Sequence, residues 1–83
     1  MPDVDAITAL CSRFPDHARS IRRLHAEDAT FRAICEDYAE AVRALEYWQQ
    51  ADFSSRKKAE EYRRMVEELE DEALAALKAS ESN

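Results

Sequence analysis

Two cysteines and two histidines are the residues of this chain whose types could hold a metal ion. A structural zinc site needs four converging ligands, usually supplied by close pairs such as Cys-x-x-Cys or His-x-x-x-His. The four candidates are instead six, eight and ten residues apart, across two expected helix breaks: Cys11, His17, His25 and Cys35. We therefore interpret them as two core thiols and two solvent-facing imidazoles, and we expect no metal and no other cofactor.

A run of carboxylates in the last third of the chain is the second candidate for chemistry. The run consists of Glu67, Glu68, Glu70, Asp71 and Glu72. Acid–base catalysis needs two groups whose pKa values are driven apart in a pocket. This run instead falls in the middle of an expected helix and is typical of a solvated face. We therefore expect no catalytic residue and a protein that is not an enzyme.

Two basic segments, residues 13–32 and 56–64, could contact a nucleic acid. Each holds five Arg or Lys residues, and Phe31 and Trp48 lie near them as aromatic platforms for bases. Against this stand 18 acidic and 12 basic residues, a net charge of −6 that repels nucleic acid and anionic lipid. We favour a charged exterior balanced by the acidic run, and we keep a nucleic-acid-associated accessory protein as the alternative function.

The composition limits which elements can position these groups. Gly is absent, which excludes a P-loop, a dinucleotide-binding glycine fingerprint and the tight turns of hairpin-rich β folds. The chain has 83 residues, enough for one small domain, and 46% of them are hydrophobic, enough for a packed core. Domains of this size often gain stability by self-association.

The chain carries no sign of export or of a membrane span. No apolar run approaches 18 residues, and the first residues are acidic where a signal peptide needs positive charge. We expect a cytoplasmic protein that does not associate with membranes and whose thiols are reduced.

Apolar residues follow helical spacing nearly everywhere, which predicts an all-α fold in a single domain. Residues 3–27 are expected to form one or two short helices, with Asp3 as the first N-cap and Pro15 as the interruption. Asp28 then either caps a new, longer helix or lies inside a helix that continues from Asp16. The spacing leaves both alternatives open.

The rest of the chain is predicted to form an antiparallel, coiled-coil-like helical hairpin. Residues 28–51 make the first arm, residues 54–79 the second, and residues 80–83 a frayed tail. The polar break around Phe53 allows the reversal, with Asp52, Ser54 and Ser55 as candidate caps. The seam of the first arm alternates four- and three-residue steps: Phe31, Cys35, Tyr38, Val42 and Leu45.

The pairing of the arms would place the acidic run beside residues 33–38, with Arg32, Arg22 and Arg23 as possible partners. The apolar stripes are wider than two helices can cover, since Ala41, Trp48 and Met65 broaden them. Either the N-terminal helices fold over the hairpin or a second chain does. We expect a homodimer in a four-helix arrangement.

The order Phe14-Pro15-Asp16, then Ile21, Leu24, Asp28, Phe31 and Tyr38, and finally Leu69-Glu70-Asp71-Glu72 and Leu77, resembles the YdcH-like family of small bacterial proteins. Members of that family are similar in style to the SlyX-like hairpins. The resemblance implies a helical hairpin with coiled-coil character and no established activity.

These observations predict a non-catalytic protein–protein interaction module, an adaptor or regulatory protein that binds itself and another protein through its helical faces. Trp48 is expected to pack inward and close one end of the hairpin, with an exposed anchor for a partner as the alternative. The candidate interaction residues are Phe14, Ile21, Leu24, Phe31, Trp48 and Phe53.

Overall fold

Proline and aspartate set the first two helix boundaries. The computed structural model describes residues 2–50 and 56–82, and its first helix, α1, spans Pro2–Arg13. Pro15 cannot continue that helix, and Phe14 before it adopts φ −127°. A 3₁₀ turn, Pro15–His17, leads into α2, Ala18–Glu27. Because α1 starts at Pro2, the expected cap Asp3 lies inside the helix instead of before it.

Asp28 ends one helix and starts the next, which decides between the two alternatives at this position. Its backbone is extended, with φ −124° and ψ 111°. Its Oδ1 accepts hydrogen bonds from the backbone N–H groups of Thr30, at 2.9 Å, and Phe31, at 3.2 Å. These bonds satisfy two of the free donors at the start of α3, Ala29–Gln50.

Arg32 stabilises the junction between α2 and α3 through contacts with the C-terminal end of α2. Its guanidinium donates to the backbone carbonyls of His25, at 3.0 Å, and Ala26, at 3.1 Å. A cation at the C-terminus of a helix also interacts favourably with the helix dipole. Arg32 therefore stabilises the junction and is not a partner of the acidic run.

The two long helices pack against each other. The second of them, α4, spans Arg56–Glu81. Lys58 lies 5.7 Å from the ring centre of Trp48, and Tyr38 hydrogen-bonds to Glu70, so the helices run in opposite directions. The expected turn residues Asp52, Phe53, Ser54 and Ser55 lie outside the described residues.

The N-terminal helices cover one side of this pair. This is one of the two ways in which the wide apolar stripes were expected to be covered. Helix α1 packs mainly on α3, and α2 packs on α1, α3 and α4. The described residues contain helices and no strand, and they form a compact unit of 46 × 25 × 21 Å. Buried apolar residues of all four helices make one core: Ala6, Leu10, Ile21, Phe31, Cys35, Tyr38, Ala39, Ala41, Val66, Ala73 and Leu77.

The end of α4 differs from the sequence prediction. The helix continues to Glu81, two residues past the predicted end, so Ser80 and Glu81 are not part of a frayed tail. Arg23 of α2 donates to the Ser80 hydroxyl at 2.6 Å, and His17 Nδ1 lies 2.7 Å from a carboxylate oxygen of Glu81. These contacts to α2 and to the 3₁₀ turn order the last turn, and the periodicity of α4 alone gives no sign of them.

Candidate interaction surface

A groove between α3 and α4 is a concave surface of the described residues. Its volume is about 420 Å³. Its apolar floor is built from small residues of α3 and larger residues of α4: Ala41, Ala44, Tyr62, Met65 and Leu69. Met65 is 46% exposed, unusually high for a large apolar side chain at a position that helical spacing assigns to the packed stripe.

Carboxylates stand on both edges of the groove. Asp37 and Glu40 come from α3, and Glu68 and Glu72 come from α4. No Arg, Lys or His side chain is among the residues that line the groove. The groove therefore combines an apolar floor with four formal negative charges.

The N-terminal helices leave the groove open because α1 lies on another side of α3. A shallow cleft between α1 and α3 is lined on α3 by Ala39, Val42, Arg43 and Glu46. At about 100° per residue, this stripe lies roughly 160° around α3 from the stripe that lines the groove. The pair α3–α4 thus has one covered flank, facing α1, and one open flank, bearing the groove.

Glu70 belongs to the covered flank, unlike its neighbours in the acidic run. Its side chain is only 16% exposed. Its Oε2 accepts hydrogen bonds from the Tyr38 hydroxyl at 2.7 Å and from Arg13 Nε at 3.0 Å. Burial and then the bond to Glu70 raise the pKa of Tyr38 above its ordinary value of 10.0. The prediction of a uniformly solvated acidic face is therefore wrong at Glu70.

The candidate metal ligands lie on the covered side and are not arranged as a site. Cys35 is buried, and this burial, with smaller contributions from Cys11 and Glu36, raises the pKa of its thiol to about 12. A thiol that stays protonated at neutral pH is a poor nucleophile and a poor metal ligand. Among the side chains that the structure describes, no three His, Cys, Asp or Glu residues are grouped so that they could hold a metal ion.

The two imidazoles differ from their predicted placement. His17 is partly buried beside Glu81, and His25 is 8% exposed instead of facing solvent. The Nε2 atom of His25 is buried without a hydrogen-bond partner. His25 follows Ile21 by four residues, which places both on the inner face of α2.

The structure distributes the six candidate interaction residues over core and surface. Ile21 and Phe31 are 0% and 1% exposed, so they stabilise the folded chain and are not surface contacts. Phe14 and Leu24 are partly buried and pack against the same core. Trp48 is half-buried, with Tyr47 edge-on at 5.0 Å between ring centres. Phe53 lies outside the described residues.

Sequence reasoning missed the groove, although its elements were visible. Met65 and Ala41 were assigned to the broadened stripe, and acidic residues flank that stripe at helical spacing on both long helices. The sequence does not indicate on which side of α3 the helix α1 packs. That side determines which part of the apolar stripe stays exposed.

Comparisons with models of protein families, with curated proteins and with solved structures find no match for this chain. The resemblance to the YdcH-like family therefore stays a prediction. In residues 2–50 and 56–82, none of the helices combines the length and the apolar character that a membrane span requires.

Proposed function

We propose that this protein is a non-catalytic protein–protein interaction module, an adaptor or regulatory protein. The observation that carries the proposal is the open groove between α3 and α4, with its apolar floor and the 46% exposed Met65. A chain that closes its own core with α1 and α2 needs no further apolar surface for folding. Large apolar patches rimmed by polar residues mark sites that bind other proteins, and the groove has the same arrangement of apolar floor and polar edges on a smaller scale.

The side chains with raised pKa values support a non-catalytic function. Cys35 and Tyr38 are both in the core, and neither lines the groove. Their pKa values are moved away from neutrality, to about 12 for Cys35 and upward for Tyr38. A general acid or base works best with a pKa near the operating pH, in contact with the substrate.

The alternative function, nucleic-acid association, loses some support because three of the five arginines of the first basic segment have partners within the chain. Arg13 binds Glu70, Arg23 binds Ser80, and Arg32 binds backbone carbonyls of α2. Each of these contacts gives a guanidinium a partner within the protein, and Arg13 and Arg23 remain exposed at the surface.

Homodimerisation and a coiled-coil-like hairpin remain part of the proposal. Tyr47, which is 66% exposed beside Trp48 near the end of α3, is the apolar surface we assign to self-association. A symmetric contact through the groove would place its four carboxylates against the same four of the second copy. Light scattering on a sizing column across a dilution series tests this part: a doubled mass that Tyr47→Ala abolishes supports it, and a stable monomer contradicts it.

The main proposal is tested by photo-crosslinking in the cells that produce the protein. The amino acid p-benzoylphenylalanine replaces Met65 in the groove and, as a matched control, the exposed Glu27 at the end of α2. We expect a protein adduct from position 65 that is absent from position 27. The adduct protein, identified by mass spectrometry, must also bind the purified wild-type chain in calorimetry. No protein adduct at position 65, or equal adducts at both positions, would overturn the proposal.

A further inference from the structure

We propose that the groove between α3 and α4 binds a basic amphipathic α-helix of a partner protein. This inference rests on the proposed function and adds the chemical class of the partner. It follows from the shape of the groove, the nature of its floor and the charges on its two edges.

The shape of the groove fits a helix. Its lining residues extend from Tyr62 to Glu72 on α4, which at 1.5 Å per residue is about 15 Å. On α3 they extend from Asp37 to Ala44, about 10 Å. Two helices side by side leave a furrow along their common axis, and a third helix fills such a furrow over two to three turns.

The floor of the groove requires an apolar stripe on the partner. Ala41 and Ala44 have short side chains, so the backbone of a docked helix can approach α3 closely. Met65 is flexible and adapts to differently shaped side chains, as methionines do at helix-binding surfaces. A partner with apolar residues at positions i, i+3 or i+4, and i+7 presents one side chain per turn to this floor.

The edges of the groove require basic residues on both sides of that stripe. Asp37 and Glu40 stand on the α3 edge, Glu68 and Glu72 on the α4 edge. A helix lying between these edges places its flanking residues within reach of both pairs of carboxylates. Lys or Arg at the flanking positions neutralises the four charges, whereas an acidic helix, a nucleic acid or an anionic lipid is repelled.

A second copy of this chain does not meet these requirements. Its basic helix α2 exposes Arg19, Arg22 and Arg23. The apolar residues of α2 are turned inward, with Ile21 fully buried and Leu24 packed on the core, so α2 has no free apolar stripe for the floor. The second basic segment, residues 56–64, begins α4, where Val66 is buried and Tyr62 lines the groove of its own chain, so this segment has no free apolar stripe either. The occupant we assign is therefore a helix of a different protein.

The test uses the full chain and a designed peptide. The probe is an acetylated, amidated peptide of about 15 residues, long enough to span the groove, with Leu at i, i+3 and i+7, Lys or Arg beside them and Ala elsewhere. One control peptide has Glu in place of every basic residue. A second has the same composition in an order that destroys the apolar stripe. Binding is measured by fluorescence anisotropy at two salt concentrations, and the site is mapped by chemical-shift changes in the labelled protein.

We expect the basic amphipathic peptide to bind, with the largest shifts at Ala41, Ala44 and Leu69, and both control peptides to bind at least about tenfold more weakly. The double variant Glu68→Lys, Glu72→Lys should lower affinity by about tenfold or more, whereas the double variant Glu27→Lys, Glu60→Lys, which makes the same change in charge outside the groove, should not. All four substitutions are at exposed positions, and circular dichroism checks that the variants remain folded.

Three results would overturn the inference. They are no binding of the basic peptide, equal binding of the control peptide whose residue order destroys the apolar stripe, or chemical-shift changes that lie outside the groove. If the protein formed a dimer whose interface is the groove, the occupant would be a second copy of this chain and the inference would be wrong. The crosslink at position 65 separates this failure from failure of the proposed function. An adduct with a protein whose contacting segment is not a basic helix would keep the interaction module and reject the partner class.

Discussion

Glu68, Glu70 and Glu72 are neighbours in one helix, yet they lie on different flanks of the α3–α4 pair. Glu70 is on the covered flank, where Tyr38 of α3 and Arg13 of α1 both donate to its Oε2. Glu68 and Glu72 stand on the edge of the open groove. The same type of side chain therefore stabilises the fold at one position and is exposed at the edge of the groove two residues away.

The two flanks differ because α1 can cover only one of them. On the covered flank Leu10 is fully buried, and Glu70 accepts hydrogen bonds from Tyr38 and Arg13 within the chain. On the open flank a large apolar side chain, Met65, stays 46% exposed. The comparison teaches that the side chains that stabilise the fold are concentrated on one side of the α3–α4 pair, which leaves the other side free for the proposed interaction, and substitutions on each side should separate the two.

Truncation of an apolar side chain on each flank gives the largest expected difference. Leu10→Ala leaves a cavity between α1 and the core, so we expect it to lower the free energy of unfolding by about 2–5 kcal/mol. Met65→Ala removes a half-exposed side chain, and we expect a change below about 1 kcal/mol. Urea denaturation followed by circular dichroism measures both. If the two variants lost similar amounts of the free energy of unfolding, the packing of α1 on one flank would not be the reason that the flanks differ.

The heptad pattern was sufficient to predict much of the covered flank. Phe31, Cys35 and Tyr38 were assigned to the seam, and the structure buries all three, because apolar periodicity fixes which face of a helix turns inward. The break near Pro15 was also predictable, since the ring of proline excludes it from a helix interior. At Asp28 the spacing fitted both a cap and a continuous helix. The decision came from its side-chain hydrogen bonds and from Arg32.

The features that sequence reasoning missed depend on contacts between distant residues. The four-residue spacing from Ile21 places His25 on the inner face of α2, and the docking of α2 on α3 and α4 then buries it. The basic partner of Glu70 is Arg13, 57 residues away, and not one of the three possible partners of the acidic run, Arg32, Arg22 and Arg23. The groove itself exists only because α1 approaches α3 from one side, so its acidic edges looked like an ordinary solvated surface in the sequence.

Removal of single carboxylates in the acidic run sharpens the comparison, with a smaller expected effect. Glu70→Ala leaves the buried Tyr38 hydroxyl without an acceptor, and we expect a loss of about 1–3 kcal/mol in the free energy of unfolding. Glu68→Ala, the matched substitution on the open flank, should change it by less than about 0.5 kcal/mol. Both exchanges alter helix propensity equally, so urea denaturation reports the difference in contacts.

A double-mutant cycle identifies the source of that loss. In a Tyr38→Phe background no hydroxyl remains to be satisfied, so the cost of Glu70→Ala should fall to what the partly exposed bond to Arg13 contributes. If the cost of Glu70→Ala were unchanged in that background, the hydrogen bond would not be the reason that Glu70 differs from Glu68.

The smallest expected effect concerns Glu81, where the helix extends past its predicted end. Hydrogen bonds from His17 and then Ser20 hold the pKa of the exposed Glu81 carboxyl below its ordinary value of 4.5. A carboxyl with a lowered pKa in the folded state stabilises the fold above its unfolded pKa, and this contribution is lost as the pH falls toward the folded pKa. Glu81→Gln should therefore lower the melting temperature slightly at pH 7 and not at all once the pH is well below 4.5.

The same exchange at the exposed Glu61 controls for the loss of one charge, and melting curves across pH 3–7 compare the two. A Glu81→Gln difference that stays constant over that range would mean that the ionised carboxylate does not hold the last turn of α4 against His17, and that this end of the covered flank is closed by Arg23 and Ser80 alone.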